Sequence, residues 1–345
     1  MSASYQAVGW NRQKRNYDLV LAATVTGYLT LFVGITLIRD PLATAETTLI
    51  RALGTGALVL LTIILTIGPL ARFDPRFLPL LYNRRHLGVT MCLLAMGHAG
   101  FALFQFHALG NLNPVVSLLT GAANATRPGT FPFEILGLGA LMILALMAAT
   151  SHDFWLATLT APAWKGLHMM VYLAYGLLVA HVALGSLQET VSPVPALLLG
   201  ASVAGVLGLH LAAGRRERRR DRALHVPEKV GWIDACGADD IPERRARCIV
   251  VAGERVAIYR YDGLVSCVSN VCQHQNGPLS EGRVVDGCIT CPWHGYQYLP
   301  DSGRSPPPFT ERIPTFDVRV EAGRVLVRGT PNPAGTRAEP ARIAS

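Results

Sequence analysis

Charged residues are scarce in this chain of 345 residues: Asp, Glu, Lys and Arg make up 16% of it, whereas a soluble globular protein carries about a quarter. The deficit lies in the first 214 residues, and the remainder has the composition of an ordinary globular domain. A wholly soluble protein is therefore excluded. The composition instead predicts a membrane protein with an attached soluble module.

Two further absences narrow the class of protein. The seven cysteines show no spacing typical of a disulfide framework, so a disulfide-bonded scaffold is not predicted and a reducing compartment is acceptable. No G-x-G-x-x-G turn lies between a strand and a helix, which argues against NAD(P)H oxidation by this chain alone. The formal charge of +8 does not indicate nucleic-acid binding, because the basic residues lie beside apolar runs and suit the edges of a membrane.

Six apolar runs come after a polar N-terminal segment, residues 1–16. Each is bounded by Pro, Gly or charged residues and has about the length that a membrane-spanning helix needs. The first run could also belong to a signal peptide, but it exceeds the roughly 7–15 apolar residues of such signals. We therefore expect a six-helix all-α transmembrane bundle over residues 17–213. The runs are Asp18–Ile38, Ala52–Leu70, Leu87–Leu109, Phe133–Ala149, Ala163–Gly185 and Val194–Ala213.

Basic residues are distributed unevenly between the two ends of these runs. In a six-span arrangement the side opposite the two termini has only three basic residues, Arg39, Arg51 and Arg127. The positive-inside rule then predicts that both termini are cytoplasmic, in the inner membrane of a bacterium. A basic linker, residues 214–226, is expected to bind anionic lipid headgroups. The basic residues on the cytoplasmic side are Arg12, Lys14, Arg15, Arg72, Arg76, Arg84, Arg85, Lys165 and those between Arg215 and Arg222.

The pattern changes beyond Pro227 to short β-rich runs with a period of two, separated by Gly, Asp and Pro turns. Residues 227–330 therefore predict a small all-β domain, either an antiparallel barrel or a sandwich. The tail, residues 331–345, is rich in Pro, Ala and Arg and is expected to be disordered. The predicted strands are Cys248–Val251, Val256–Tyr261, Leu264–Val268, Cys288–Thr290, Phe316–Val320 and Val325–Val327.

Two metal-ligand pairs lie in the β-rich region: Cys272-x-His274 and Cys291-x-x-His294, separated by sixteen residues. Each pair offers one thiolate and one imidazole. An asymmetric [2Fe–2S] cluster needs this set, because one iron takes two thiolates and the other takes two histidines. A tetrahedral zinc site is the alternative, but zinc sites of this composition usually draw both thiols from one end and both imidazoles from the other.

These two motifs resemble those of the Rieske family, and the resemblance implies a [2Fe–2S] cluster held by the four motif residues. Respiratory members carry an extra disulfide-bonded cysteine in each loop, at positions that match Gly277 and Trp293 here. They also carry a Ser and a Tyr after the last ligand, where this chain has Tyr296 and Tyr298, so the resemblance implies a lower potential. Ring-hydroxylating relatives need a further two-histidine iron site. No histidine follows His294, so oxygenase chemistry is not expected.

Histidines also occur in the apolar runs, where ionisable residues are costly and usually functional. His98 and His181 are predicted to reach a similar depth, roughly 18–22 Å from the cytoplasmic edge. Two such helices can hold one haem between two imidazoles. His168 could serve a second haem with His86, although His86 and His98 would point about 120° apart on one helix. His107 and His210 are isolated histidines of apolar helices, and such histidines more often hydrogen-bond to a neighbouring helix than bind a metal.

The segment Asn83–Val89 with His98, and the segment Trp164–His168 with His181, resemble the ferric-reductase-like transmembrane domain. A similar protein in that group is the haem-binding membrane subunit of bacterial periplasmic methionine sulfoxide reductase systems. The resemblance covers about residues 17–213. It implies b-type haem, with His98, His168 and His181 as ligands.

The combined expectation is a membrane-bound electron-transfer protein. A cytoplasmic ferredoxin or flavoprotein reductase would reduce the cluster, and one or two haems would pass electrons to a periplasmic protein, a quinone or a ferric acceptor. The alternative is a redox-sensing or assembly subunit without steady electron flow. Only a short polar tail comes after the β-rich region, which favours electron transfer because a sensor needs an output module.

Overall fold

The computed structural model describes residues 12–123, 133–152, 155, 158–159, 161–189, 192–225, 231–251, 253–274, 276–293 and 295–343. Two compact units are present. A helical unit ends at Ala213, apart from residues 159–165, which group with a β unit that begins at Gly214.

Long apolar helices dominate the first unit. Five described helical segments are long and apolar enough to cross a membrane, and Phe133–Ala149 is a shorter apolar helix. These six segments coincide with the six predicted apolar runs, so the prediction of an apolar helical region is confirmed. The described helices are α1 (Arg12–Arg39), α2 (Ala45–Phe73), α3 (Leu78–Tyr82), α4 (Arg84–His107), α5 (Pro114–Ala123), α6 (Phe133–Ala149), α7 (Ala161–Met169), α8 (Val171–Leu184), α9 (Ser186–Glu189) and α10 (Val194–Leu224).

The most extensive contacts in the helical unit are made by two helix pairs, α2 with α4 and α6 with α8. Small side chains are completely buried on these helices: Ala52 on α2, Ala140 on α6 and Ala174 on α8. Many large apolar side chains instead face outward, as Leu93 and Leu197 do. Outward apolar surface of this kind is what a hydrocarbon environment requires.

The second unit is a small β structure built from three sheets. One sheet has the order β1-β10-β9, the second has the order β11-β4-β3-β2 with β8 also on β4, and the third has the order β5-β6-β7. These strands pair in antiparallel ladders. The strands are β1 (Trp232–Gly237), β2 (Arg245–Val251), β3 (Glu254–Tyr261), β4 (Leu264–Ser269), β5 (Arg283–Val285), β6 (Cys288–Thr290), β7 (Gln297–Tyr298), β8 (Thr315–Phe316), β9 (Val318–Glu321), β10 (Arg324–Arg328) and β11 (Ala341–Arg342).

Alternating side chains divide the β unit into two apolar cores. Ile258 and Cys267 face one core, which also contains Phe316 and Val325. Their neighbours along the strands, such as Ala257 and Val268, face the other core. Successive side chains of a strand point to opposite faces of the sheet, so strands β3 and β4 supply both cores. The second core contains Cys272 and Cys291.

The expectation of a disordered tail was wrong for residues 331–343. Strand β11 pairs with the edge of β4, where Ala341 lies opposite Val265. Ala338 is buried, and its N–H donates to the Asp301 carbonyl at 2.7 Å. A composition rich in Pro and Arg does not reveal that an open sheet edge can supply the backbone partners of such a segment.

Residues 214–224 of the predicted basic linker are helical. Helix α10 runs without interruption to Leu224. Glu217 and Asp221, four residues apart on this helix, both bind the guanidinium of Arg255 on strand β3. Residues at i and i+4 share one face of a helix, so the two carboxylates meet the same cation. Burial acts to lower the pKa of Arg255, and the two carboxylates together raise it above its usual value.

Candidate metal sites

Two loops of the β unit carry the predicted cluster ligands. The first loop comes after β4, and in it the Asn276 N–H donates to the Cys272 carbonyl at 2.8 Å while the Cys272 N–H donates to the Gly277 carbonyl at 3.0 Å. Asn276 has a φ of 58°, a left-handed conformation that Asn tolerates better than most residues. These bonds close the loop tightly and leave Cys272 fully buried.

The second loop joins β6 to β7 and is closed in the same way. The Gly295 N–H donates to the Cys291 carbonyl at 3.0 Å, and the Cys291 N–H donates to the Tyr296 carbonyl at 2.7 Å. Gly295 has a φ of 71°, as a left-handed position in a tight turn requires. Cys291 is buried. His294, the predicted fourth ligand, lies outside the described residues.

The two loops meet at Gly277. A Cβ atom at this position would lie 2.6 Å from the Cys291 sulfur and 3.3 Å from the Trp293 ring, so no larger residue fits without displacing one of the loops. Gly277 and Trp293 are also the two positions at which respiratory Rieske proteins are expected to carry bonded cysteines. Here the close contact of the two loops is made by a glycine and an aromatic ring.

A tyrosine hydroxyl reaches the first thiol. Tyr298 Oη lies 3.5 Å from Cys272 Sγ and accepts the Gln273 N–H at 3.0 Å. Burial, and then the nearby Cys272, raise the pKa of Tyr298 well above its usual value, so the phenol stays protonated. If Cys272 is a thiolate ligand, the phenol must be the donor of the shared hydrogen bond, because a thiolate has no proton to give.

Aromatic rings cover the predicted imidazole ligand of the first loop. The Tyr296 ring stacks on His274 with centroids 5.5 Å apart and an interplanar angle of 9°, and the Trp164 ring stacks with centroids 6.1 Å apart at 19°. Tyr296 donates its hydroxyl proton to Glu311, and burial raises the pKa of this phenol further than the carboxylate does. His274 is itself buried.

The sequence gives no signal that Trp164 belongs to this site. It stands beside Lys165, whose Nζ donates to the Asn276 side-chain oxygen at 2.9 Å. Both residues belong to the segment that groups with the β unit. Nothing in the sequence connects them with a loop more than a hundred positions away.

The described ligands fit a [2Fe–2S] cluster by their chemistry. Cys272 and Cys291 share one apolar core, and the glycine contact holds their loops together. Within the described part of the chain, no three His, Cys, Asp or Glu side chains already form a metal-binding group. Buried thiols and a shielded imidazole in two facing loops are nevertheless the donor types that such a cluster takes.

Two histidines of the helical unit lie together. The rings of His98 on α4 and His181 on α8 have centroids 6.2 Å apart. His98 Nδ1 lies 2.9 Å from the Ile50 carbonyl, and His181 Nδ1 lies 2.8 Å from the Phe133 carbonyl. A backbone carbonyl can only accept a hydrogen bond, so Nδ1 carries the proton and Nε2 is left as a ligand atom.

The spacing of these two rings suits a shared metal ion. Imidazoles that bind one ion from opposite sides at about 2.0–2.1 Å per nitrogen have centroids roughly 6 Å apart. The observed separation of 6.2 Å agrees with this value. By this spacing, His98 and His181 are the residues that would hold a haem iron in the helical unit.

The other histidines of the helical unit have different polar neighbours. His168 Nε2 lies 3.5 Å from the Ser151 hydroxyl, and His86 Nδ1 lies 2.5 Å from an Asp18 carboxylate oxygen. Their pairing at a second haem stays a prediction. His107 contacts Ser117 at 3.0 Å, and His210 contacts Tyr172 at 3.0 Å, which agrees with the expectation that such histidines tie helices together.

The β unit with its two Cys/His loops is an iron–sulfur electron-transfer module. The family model of the Rieske [2Fe-2S] domain matches residues 231–317, and the model of the ferric reductase like transmembrane component matches residues 51–179. The chain therefore belongs to the Rieske [2Fe–2S] family and carries a ferric reductase-like transmembrane domain in the same polypeptide. It is a membrane electron-transfer protein with a [2Fe–2S] domain.

Similar proteins match the Rieske region. The ferredoxin component of naphthalene 1,2-dioxygenase/salicylate 5-hydroxylase systems from a Ralstonia species is 33% identical over 98 residues, which are 28% of this chain and 94% of that protein. The alkene monooxygenase ferredoxin component of Xanthobacter autotrophicus is 28% identical over 115 residues, 32% of this chain and 94% of that protein. A solved complex of oxygenase and ferredoxin in carbazole 1,9a-dioxygenase has 28% identity and a TM-score of 0.29, covering 30% of this chain and 98% of that chain.

Proposed function

We propose that this protein carries electrons across a bacterial inner membrane between a cytoplasmic donor and an acceptor at or beyond the opposite face. The observation that carries the proposal is the pair of facing imidazoles, His98 and His181, in a chain that also contains a Rieske domain. A haem and an iron–sulfur cluster are both one-electron carriers. Their presence in one polypeptide favours a relay.

On the β unit, the proposed cluster ligands are Cys272, His274, Cys291 and His294. The first three lie in the two loops described above, and the fourth follows from the spacing of the motif. The chain's own contribution is to keep the ligand atoms dry and oriented: Tyr298 donates toward one sulfur, while Tyr296 and Trp164 cover the imidazole of His274. Such contacts set ligand orientation and reduction potential.

In the helical unit, His98 and His181 are the residues that would hold one b-type haem. His168 is kept as a proposed ligand of a second haem. When bound, a haem supplies an iron that alternates between two oxidation states. The backbone carbonyls of Ile50 and Phe133 hold each Nδ1 proton, so the two Nε2 atoms are available to the iron.

The basic segments support the proposed orientation, with both termini and the Rieske domain in the cytoplasm. A cytoplasmic ferredoxin or flavoprotein reductase is the proposed donor. The proposed acceptor is a periplasmic protein, a quinone or a ferric compound. The named relatives that are ferredoxin components of oxygenase systems support a role in which the Rieske domain exchanges electrons with a protein partner.

The test uses the purified full-length protein in liposomes. A membrane-impermeant reductant is supplied outside, and haem reduction is followed at the α-band in those liposomes whose Rieske domain faces outward, as measured by protease accessibility. The wild type should be reduced rapidly. Cys291→Ser, which removes a proposed cluster ligand, should slow reduction by about tenfold or more, and Cys248→Ser, a thiol outside the two loops, should not.

Equal haem reduction rates in the wild type and Cys291→Ser would show that electrons do not enter through the cluster. Absence of haem from the purified protein would refute the relay itself. If the cluster is present but no electron reaches haem from either face, the sensing or assembly alternative replaces the proposal.

A further inference from the structure

His98 and His181 each make the same type of hydrogen bond, to a backbone carbonyl at the same distance earlier in the sequence. The carbonyl that binds His98 belongs to Ile50, and the carbonyl that binds His181 belongs to Phe133; each lies 48 positions before its histidine. The two hydrogen bonds measure 2.9 and 2.8 Å. Ile50 and Phe133 are themselves 83 positions apart, as His98 and His181 are.

A glycine makes room for each imidazole. A Cβ atom at Gly54 would lie 2.8 Å from His98 Nδ1, and a Cβ atom at Gly137 would lie 2.9 Å from His181 Nδ1. Each glycine is four positions after the residue whose carbonyl binds the imidazole, so glycine and carbonyl share one helix face. Real Cβ atoms essentially never approach so closely, so an alanine at either position would have to displace the ring.

The sequence around these glycines repeats at the same interval. Leu53-Gly54-Thr55-Gly56-Ala57-Leu58 on α2 corresponds to Leu136-Gly137-Leu138-Gly139-Ala140-Leu141 on α6, and the two segments differ at one position in six. Burial follows the repeat. Leu61 and Leu144, also 83 positions apart, are 0% and 3% exposed.

We infer that the membrane domain contains an internal repeat of 83 residues, and that Gly54 and Gly137 are equivalent positioning residues for the two haem ligands. The helix pair α2–α4 forms one copy, and the pair α6–α8 forms the other. Each copy supplies one histidine, one carbonyl that fixes its tautomer, and one glycine that lets the ring lie against the neighbouring helix. This inference rests on the proposed haem function of His98 and His181.

The repeat has a chemical consequence. Both axial imidazoles donate from Nδ1 to an uncharged backbone carbonyl, so both are neutral ligands of similar basicity. An iron held by these two imidazoles would then have matched ligands, and a disturbance of either imidazole would have a similar effect. A site assembled from unrelated contacts would have no reason to respond equally.

The test is a set of alanine substitutions in the full-length purified protein. Gly54→Ala and Gly137→Ala should each lower haem affinity by about 10–100-fold, as loss of an outer contact to a metal-bound histidine does. Any haem that remains should show a shifted low-spin electron paramagnetic resonance signal, because the displaced ring changes the ligand geometry. The shift should be similar in the two variants.

Matched controls are available on the same helices. Gly139→Ala makes the same change two positions along α6, where the nearest atom is a Leu177 methyl carbon at 3.7 Å, and Gly68→Ala does so on α2, where nothing lies within 4 Å. Both controls should keep wild-type haem content and spectra. Size-exclusion profiles of all four variants report whether each one folds.

The outcomes separate this inference from the proposed function. If His98→Ala and His181→Ala retain the wild-type haem, the proposed ligands are wrong. If those variants lose haem while Gly54→Ala and Gly137→Ala keep wild-type content and spectra, the ligands stand and the positioning role is overturned. If only one of the two glycine variants changes, the equivalence of the two copies is refuted.

Discussion

Replacing Tyr298 with Phe should lower the reduction potential of the cluster. The Tyr298 hydroxyl lies 3.5 Å from Cys272 Sγ, and Tyr298 is completely buried. Reduction adds negative charge to the cluster and its sulfur ligands, so a donor to the sulfur stabilises the reduced state more than the oxidised state. Removal of the donor therefore makes reduction less favourable.

The size of the change follows from the energy of one hydrogen bond. A hydrogen bond to a charged group contributes about 1.5–3 kcal/mol, and only the part that differs between the two redox states affects the potential. If that part is about 1–1.4 kcal/mol, the one-electron potential falls by about 40–60 mV, since a tenfold change in equilibrium constant is about 59 mV. The raised pKa of Tyr298 means that the effect should persist across the neutral pH range.

The measurement is a redox titration of the reduced cluster by electron paramagnetic resonance. Tyr261→Phe provides the control, because this buried tyrosine belongs to the same core but binds the Ser266 hydroxyl at 2.8 Å. Its potential should equal that of the wild type. A Tyr298→Phe potential that is unchanged or higher would refute the assignment of this phenol as a donor to the cluster sulfur.

Two further predictions concern the β unit. Gly277→Ala places a Cβ 2.6 Å from the Cys291 sulfur, so the two loops must separate, at an overpacking cost of about 1–3 kcal/mol. The iron and acid-labile sulfide content should therefore fall to less than half. Full cluster content would contradict the close contact of the loops. Arg255→Ala leaves two helix carboxylates without their cation and should destabilise the unit by about 1–3 kcal/mol, a range below that of fully buried pairs because the groups are partly exposed. The loss of cluster absorbance on heating measures the change in stability. Arg247→Ala is the control: it breaks an exposed ion pair with Asp240 and should change stability by less than about 0.5 kcal/mol.

The sequence predicted the elements whose signals are local. Apolar length located the membrane helices, because crossing a bilayer demands about twenty consecutive apolar residues. Period-two alternation located strands such as β3 and β4, and the Cys/His spacing located the Rieske domain that the family model matches. The prediction of a disordered tail was wrong because Ala341 pairs with the distant residue Val265, and the local sequence of the tail does not indicate this pairing.

What the sequence determined by itself is the kind of chemistry: thiols and imidazoles paired at short spacing, and histidines in helices that otherwise exclude ionisable groups. The tertiary structure decided how those groups are held. It brought the Gly277 backbone against the Cys291 loop, Trp164 against His274, and the Ile50 and Phe133 carbonyls against two imidazoles. Residue types and their spacing indicate which side chains are ligands. The orientation of those ligands depends on contacts between segments far apart in the chain, and these contacts form only when the chain packs.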